Sequence, residues 1–358
     1  MKVAIIGTVG VPAKYGGFET LAENLLTYKS NADILYRIYC SKRSYAQKPK
    51  FYKNAKLFYL PFRANGAQSP IYDIVSIFHA LFTADKLLIL GVSGCVILPF
   101  VRLFSKKQII VNIDGVEHRR EKWGKRTRKF LKFSEKMAVR YSDIVIADNK
   151  AIQDYVKSKY EKDAELIEYG GDHVLLETEN SVPTELNIPA NSYGVTVCRI
   201  EPENNIHILL NAFSKMADKK LVVIGNWEKA SYGKNLKKQY AEHKNIYMIS
   251  SIYNIKKLNA FRKNALYYVH GHSAGGTNPS LVEAMSLGLS IIAFDVVYNR
   301  ETTENKAIYF ENSDALCKII CDLTDEQLKQ NADEMRQVAE SRYKWSIVVR
   351  KYENLLKI

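Results

Sequence analysis

Residues 266–295 read LYYVHGHSAGGTNPSLVEAMSLGLSIIAFD, and the hydrophobic pattern within them changes twice. An apolar, aromatic run (266–271) meets a glycine-rich loop, a helical segment opens near Pro279, and a second apolar run (290–295) follows. Two short buried runs joined through a helix make a βαβ unit, whose strands must be parallel. The helix start is written into the loop. Thr277 or Asn278 is the expected N-cap and Pro279 the first helical residue, so the backbone amides of Gly275, Gly276 and their neighbours stand at the positive end of a helix, where a diphosphate is favoured. Ser280 lies in the first turn. Glu283 lies one turn further in, where its carboxylate either accepts from sugar hydroxyls or only complements the helix dipole.

The same alternation extends outward in both directions. Strands are expected over residues 2–7, 34–40, 56–61, 86–91, 108–114 and 143–148, and again over 194–199, 220–225, 245–250 and 266–271, with helical patterns between them. The fold class is therefore α/β, with two Rossmann-like domains. Between the halves, GDHVLLETENSVPTELNIPANSYG has no periodicity and holds Pro183 and Pro189. The expected division is 1–171, a linker at 172–192, a second domain at 193–340, and a last helix within 341–358 that returns to the first domain.

Composition narrows the class. The 358 residues are 47% hydrophobic and 25% charged, which fits two folded domains and excludes disorder and collagen-like repeats. Five dispersed cysteines form no CxxC pair, so neither a disulfide framework nor a zinc finger is indicated. The opening MKVAIIG lacks the pattern of a signal peptide, and the longest apolar stretch, residues 87–101, is interrupted by two glycines and a proline. A cytoplasmic protein is expected.

Charge is unevenly spread. The net charge is +14, yet residues 1–170 hold 29 basic and 16 acidic side chains while the remainder hold 23 and 22. The first half thus expects an anionic partner, an acidic lipid surface or a nucleic acid. From Arg119 to Arg140 there are ten basic residues, Arg126, Arg128, Lys129 and Lys132 among them, against Glu121 and Glu135. Phe130, Phe133, Met137 and Tyr141 recur at helical spacing, which reads as an apolar face beside a cationic one.

Three further features bear chemistry. After the first strand, GTVGVPAKYGGFETLAENLL places Gly16 and Gly17 before a helix, where backbone amides can approach a phosphate or sugar. In VCRIEPENN, Arg199 leaves a strand of the second half as a natural phosphate ligand. NIDGVEHRREKW ends a strand at Asp114 and puts Glu117 and His118 on the following loop, where they can orient or polarise a hydroxyl.

Together these segments resemble the family 4 glycosyltransferases of the GT-B architecture, in which two Rossmann-like domains face a central cleft. The carriers are the GGxE loop (Gly16, Gly17, Glu19), the turn at Arg199 and the PSLxEAMxxG segment ending at Gly288. With ANGAQSPIYD, NIDGVEHRREKW and EYGGDH added, the chain is similar to the bacterial β-1,4-rhamnosyltransferase branch that builds capsule and cell-wall polysaccharides. The resemblance implies a retaining enzyme that moves a sugar, rhamnose from dTDP-rhamnose, onto a lipid-diphosphate-linked sugar. It implies a donor held by the second domain, an acceptor held by the first, and a place on the inner face of the cell membrane. Two positions depart from the family pattern. Gly275 stands eight before Glu283, where a glutamate is usual, and Asn204 stands five after Arg199, where a lysine is usual. No DxD pair occurs, so no metal and no other cofactor is expected. A UDP-sugar donor is the alternative within enzymes. An NAD-linked oxidoreductase is disfavoured because no GxGxxG follows any strand, and a nucleic-acid-binding protein because the basic helix belongs to no recognised module.

Overall fold

The computed structural model describes residues 1–14, 16–120, 123–176 and 188–357. They divide into two units, each a parallel sheet with helices. The first contains β1 (Lys2–Ile6), α1 (Gly17–Thr27), β2 (Leu35–Ser41), β3 (Phe51–Tyr52), β4 (Ala55–Leu60), α2 (Ser69–Thr83), β5 (Lys86–Leu90) and α3 (Leu98–Phe104). It continues with β6 (Gln108–Asn112), α4 (Lys125–Tyr141), β7 (Ile144–Ala147), α5 (Lys150–Tyr160) and β8 (Glu165–Leu166). The second contains β9 (Tyr193–Val197), α6 (Ile206–Ser214), β10 (Lys220–Ile224), α7 (Ser231–Gln239), β11 (Ile246–Ile249), α8 (Ile255–Lys263) and β12 (Tyr267–His270). After these come α9 (Pro279–Ser286), β13 (Ser290–Phe294), α10 (Val297–Thr302), β14 (Ile308–Phe310), α11 (Ser313–Asp322) and α12 (Asp325–Arg342); α13 (Trp345–Lys357) closes the chain.

Every strand expected from the sequence is present within a residue or two, and β3, β8 and β14 are additional short edge or near-edge strands. The strands read as continuous apolar runs because both faces are covered. In β10, Leu221 and Val223 pack into one core cluster with Leu209, Phe213 and Trp227, while Val222 and Ile224 pack into the other with Val195, Leu281 and Met285.

Strand order places the sites. The first sheet runs β3-β4-β2-β1-β5-β6-β7-β8, with all pairs parallel except β3 with β4. The second runs β11-β10-β9-β12-β13-β14. In each, the chain winds outward from one central strand, then returns to wind the other way, so a switch point opens between β1 and β5 and another between β9 and β12. Parallel α/β sheets bind ligands outside the carboxyl ends of such strands.

Three expectations need correction. The first unit ends at Glu168, not at 171, and Tyr169–Leu176 belongs to the second unit, where Gly171 N donates to Tyr343 O at 2.7 Å and Asn259 Nδ2 donates to Val174 O at 2.9 Å. Residues 177–187 of the expected linker lie outside the described residues. The chain re-enters the first unit at Trp345 rather than 341. Once there, Glu353 accepts from Ser30 N at 2.8 Å and Asn31 N at 3.0 Å, and Lys351 Nζ pairs with Glu168 at 2.6 Å. Third, α4 is rotated relative to the stripe read from the sequence. Its buried face is Leu131, Ser134, Glu135, Met137 and Ala138, while Phe133 is 52% exposed. A hydropathy pattern cannot bury a glutamate; the neighbours of Glu135 do.

Candidate functional site

In the second unit, the turn after β9 and the loop after β12 flank the switch point. Arg199 follows β9 with 36% of its side chain exposed, and Glu201 Oε2 lies 3.7 Å from its Nη1. Asn204 does not present itself to a ligand. It is 2% exposed, and its Nδ2 donates to the Arg199 carbonyl at 2.6 Å, so it fastens the turn that carries Arg199. The two segments are sewn together, with Ser273 N and Oγ both donating to Glu203 O at 2.9 Å and Asn205 Nδ2 donating to Gly271 O at 3.0 Å.

Asn278 is the N-cap of α9. Its Oδ1 accepts from Ser280 N at 3.2 Å and from Ser280 Oγ at 2.9 Å, while Tyr268 OH donates to Ser280 Oγ at 3.0 Å. The Ser280 amide and hydroxyl are thus engaged within the protein, and Thr277 is buried at 2% exposure. The loop amides of Gly275 and Gly276 make no backbone hydrogen bond among the described residues. Gly275 has φ +127°, a region L side chains rarely adopt, and a Cβ there would meet nothing within 4 Å.

Glu283, 13% exposed, is anchored rather than free. Arg262 Nη2 donates to its Oε2 at 2.5 Å, and His173 Nε2 lies 3.4 Å from Oε1. Burial alone would raise the carboxyl pKa, but the Arg262 guanidinium and His173 outweigh it and hold the pKa down at about 2. Sequence reading missed both partners, because Arg262 sits among lysines on α8 and His173 lies in the aperiodic segment. It also missed His270 and His272. Their rings stack with centroids 4.3 Å apart, and neither ring nitrogen of His270 has a hydrogen-bond partner among the described residues. Burial drives His270 down to about 3 and His272 well below the ordinary value, aided for His272 by His270 and Arg199, so both are uncharged.

In the first unit, Glu19 organises the glycine loop after β1. Its Oε1 accepts from Val9 N at 2.6 Å and Thr8 Oγ1 at 3.2 Å; burial raises its pKa, which these hydrogen bonds partly offset. Gly16, at φ +124°, is required because a Cβ would stand 1.9 Å from Glu19 Oε2. Gly17 begins α1. Across the switch point, Asp73 on α2 is 3% exposed and accepts from Ser93 Oγ; burial pushes its pKa up to about 7 against the hydrogen bonds of Ser93 and Ser69.

The loop after β6 gathers the acceptor-side candidates. Asp114 has φ 59°, with its amide donating to Asn112 Oδ1 at 2.9 Å. Glu117 Oε1 accepts from Trp123 Nε1 at 2.8 Å. His118 Nδ1 lies 2.9 Å from Glu135 Oε2. Beside them, Lys129, Lys132, Phe133, Lys136, Lys159 and Tyr160 line an open groove of about 250 Å³. Arg126 is exposed and Arg128 half-buried on the same helix. Among the described residues, no cluster of three or more His, Cys, Asp or Glu side chains could hold a metal ion, and no helix is long and apolar enough to cross a membrane.

Comparison with known proteins places these units. Residues 185–342 match the model for glycosyl transferases group 1, and residues 1–172 match a domain of unknown function, DUF1972. No curated protein sequence matches significantly. Among solved structures, the chain resembles sucrose-phosphate synthase from Thermosynechococcus elongatus, with a TM-score of 0.82 at 16% identity over 99% of this chain and 98% of that one. It also resembles Anabaena HepE in complex with UDP (TM-score 0.75, 14% identity, 100% of both chains). A glycosyltransferase from Rickettsia africae follows (0.71, 13%, 99% and 97%). The chain therefore has the two-domain GT-B fold, with residues 185–342 similar to the glycosyl transferases group 1 domain.

Proposed function

We propose that this protein is a retaining glycosyltransferase that moves rhamnose from dTDP-rhamnose onto a lipid-diphosphate-linked sugar during assembly of a bacterial surface polysaccharide. The observation that carries the donor half is that the turn bearing Arg199, after β9, is hydrogen-bonded through Glu203 and Asn205 to Ser273 and Gly271 of the loop after β12, which leads through Gly275 and Gly276 to the head of α9. A diphosphate there meets a guanidinium and open amides, which stabilise the charge that develops as it departs. Glu283, held in place by Arg262, accepts from the hydroxyls of the nucleotide's pentose. The neighbours crystallised with UDP, and with UDP and glucose, support a nucleotide-sugar donor.

The first unit takes the acceptor. His118, Asp114 and Glu117 orient the attacking hydroxyl, whose oxygen bonds to the anomeric carbon as the bond to the diphosphate breaks and whose proton passes to the departing phosphate oxygen. Arg199 and the loop amides provide the counter-charge, so activity is expected to survive EDTA.

Membrane attachment belongs to the same reading. Lys129, Lys132 and Lys136 are exposed on α4, and α3, which packs against α4, carries exposed Phe100, Leu103 and Phe104. Basic side chains beside apolar ones suit the headgroup layer of an anionic membrane, at roughly 1 kcal/mol per engaged cation.

The test is a transfer assay with a lipid-linked acceptor and a panel of nucleotide sugars, paired with thermal stabilisation. A ligand at 100 times its Kd adds about 2.7 kcal/mol. Preference for dTDP-rhamnose is expected. Preference for UDP-glucose or UDP-N-acetylglucosamine overturns the rhamnose assignment, and stabilisation by no nucleotide sugar overturns the donor site.

A further inference from the structure

The buried carboxylate of Glu135 lies beneath the loop that carries His118, and we propose that it is a positioning residue that fixes the tautomer of His118 and so presents Nε2 as a hydrogen-bond acceptor to the substrate hydroxyl. This rests on the reading of His118 as an acceptor-side group, but it makes a separate statement about the imidazole itself.

Glu135 is 3% exposed and faces four groups from two places, α5 and the His118 loop. Tyr160 OH donates to Oε1 at 2.6 Å, Tyr155 OH at 2.7 Å and Lys159 Nζ at 3.2 Å, all from α5. Among the described residues, His118 Nδ1 alone faces Oε2, at 2.9 Å. Burial opposes the charge on this carboxylate, but Tyr160, Tyr155, Lys159 and His118 outweigh it and keep its pKa below the ordinary value. An ionised carboxylate only accepts, so Nδ1 must carry the hydrogen.

The groups facing His118 leave it neutral. Its pKa is lowered by burial first; Glu135 pulls it up, and Lys159 and Arg119 push it down. Tyr155 stands beside the ring, with centroids 6.5 Å apart. A neutral imidazole with Nδ1 protonated carries its lone pair on Nε2. Nε2 makes no hydrogen bond among the described residues, and the side chain keeps 12% exposure, enough for a ligand to reach it.

The division of labour within Glu135 argues against simple stapling of α4 to α5. Tyr155, Tyr160 and Lys159 already hold Oε1 and satisfy that task, yet the second oxygen is given wholly to a residue on a loop outside both helices.

The experiment is nitrogen-15 NMR of the histidine side chains in the full-length protein at neutral pH, with the His118 signals assigned by their loss in His118→Gln. The wild type is expected to show a single neutral tautomer with Nδ1 protonated. Protonation at Nε2, or a charged ring, overturns the proposal without reference to any variant's folding. Glu135→Gln is expected to give a mixture of tautomers, to lower kcat about 10-fold or more and to leave KM for the donor nearly unchanged, with Glu135→Asp recovering part of the loss. An unchanged tautomer and unchanged kcat in a folded Glu135→Gln also overturn it. If the tautomer is as stated but His118→Gln keeps wild-type kcat, the role of His118 in transfer falls and the positioning by Glu135 stands.

Discussion

Arg262 and Glu283 meet at 2.5 Å inside the second unit, the guanidinium on α8 and the carboxylate on α9, with the arginine side chain only 1% exposed. A second contact steadies the arginine, whose Nη1 donates to Asn259 Oδ1 at 3.3 Å. The glutamate that the donor is expected to touch is thus oriented from below by a cation no solvent reaches.

Removing that cation strands a charge. Arg262→Ala is expected to destabilise the protein by about 3–5 kcal/mol, more than Glu283→Gln does, because a buried carboxylate without its partner keeps its full desolvation cost. The pH dependence has a definite sign. The pKa of Glu283 lies at about 2 in the fold against an ordinary 4.5, so the pair contributes stability above pH 4.5 that is lost as pH falls toward 2. Thermal midpoints of wild type and Glu283→Gln across that window check this; parallel curves would refute it.

Asn204 and Arg199 should fail together but differently. Arg199→Ala is expected to lower kcat about 100-fold with little effect on thermal stability, since the side chain is half-buried and its ion-pair partner, Glu201, stands 3.7 Å away. Asn204→Ala removes a buried donor and leaves the Arg199 carbonyl with the Glu201 amide as its remaining partner, so it should cost about 0.5–1.5 kcal/mol and lower activity through a loosened turn. Chemical denaturation beside steady-state kinetics separates the two.

Gly275 has room but not an ordinary backbone. Gly275→Glu places the carboxylate usual in the glycosyltransferases that the sequence resembles into open space at φ +127°, at a conformational cost of about 1–3 kcal/mol. Its expected outcome is a rise in the use of a UDP-hexose relative to dTDP-rhamnose in the competition assay. An unaltered ratio in a folded variant would show that this position does not read the sugar.

Replacing Arg126, Arg128, Lys129 and Lys132 with Ser is expected to weaken flotation with acidic vesicles and leave neutral vesicles unaffected. Leu103→Ser with Phe104→Ser should weaken flotation even at high salt, where the lysines are screened. Retention of flotation by the first variant removes α4 from the membrane face.

Much of this architecture was legible before any coordinates. Two-sided burial turns parallel strands into unbroken apolar runs, so β1, β5, β10 and β12 announce themselves, and Asn278 followed by Pro279 marks the head of α9 by local chemistry alone. Arg199 and the loop at Gly275 were legible for the same reason: a strand that ends in a turn fixes where its next residues emerge.

The tertiary structure alone decided which charged residues went inside. From the chain, Glu135 is one of two acids in the basic stretch from Arg119 to Arg140, Arg262 one cation among lysines, and Asn204 a missing lysine. In the fold, Glu135 is held by donors from α5 and the His118 loop, Arg262 by Asn259 and Glu283, and Asn204 by the carbonyl it fastens. Residue type sets the cost of burying a polar group, but the partners that offset the cost arrive from segments distant in sequence. Periodicity therefore ranked the faces of α4 by apolarity and missed the rotation by which the helix buries its glutamate.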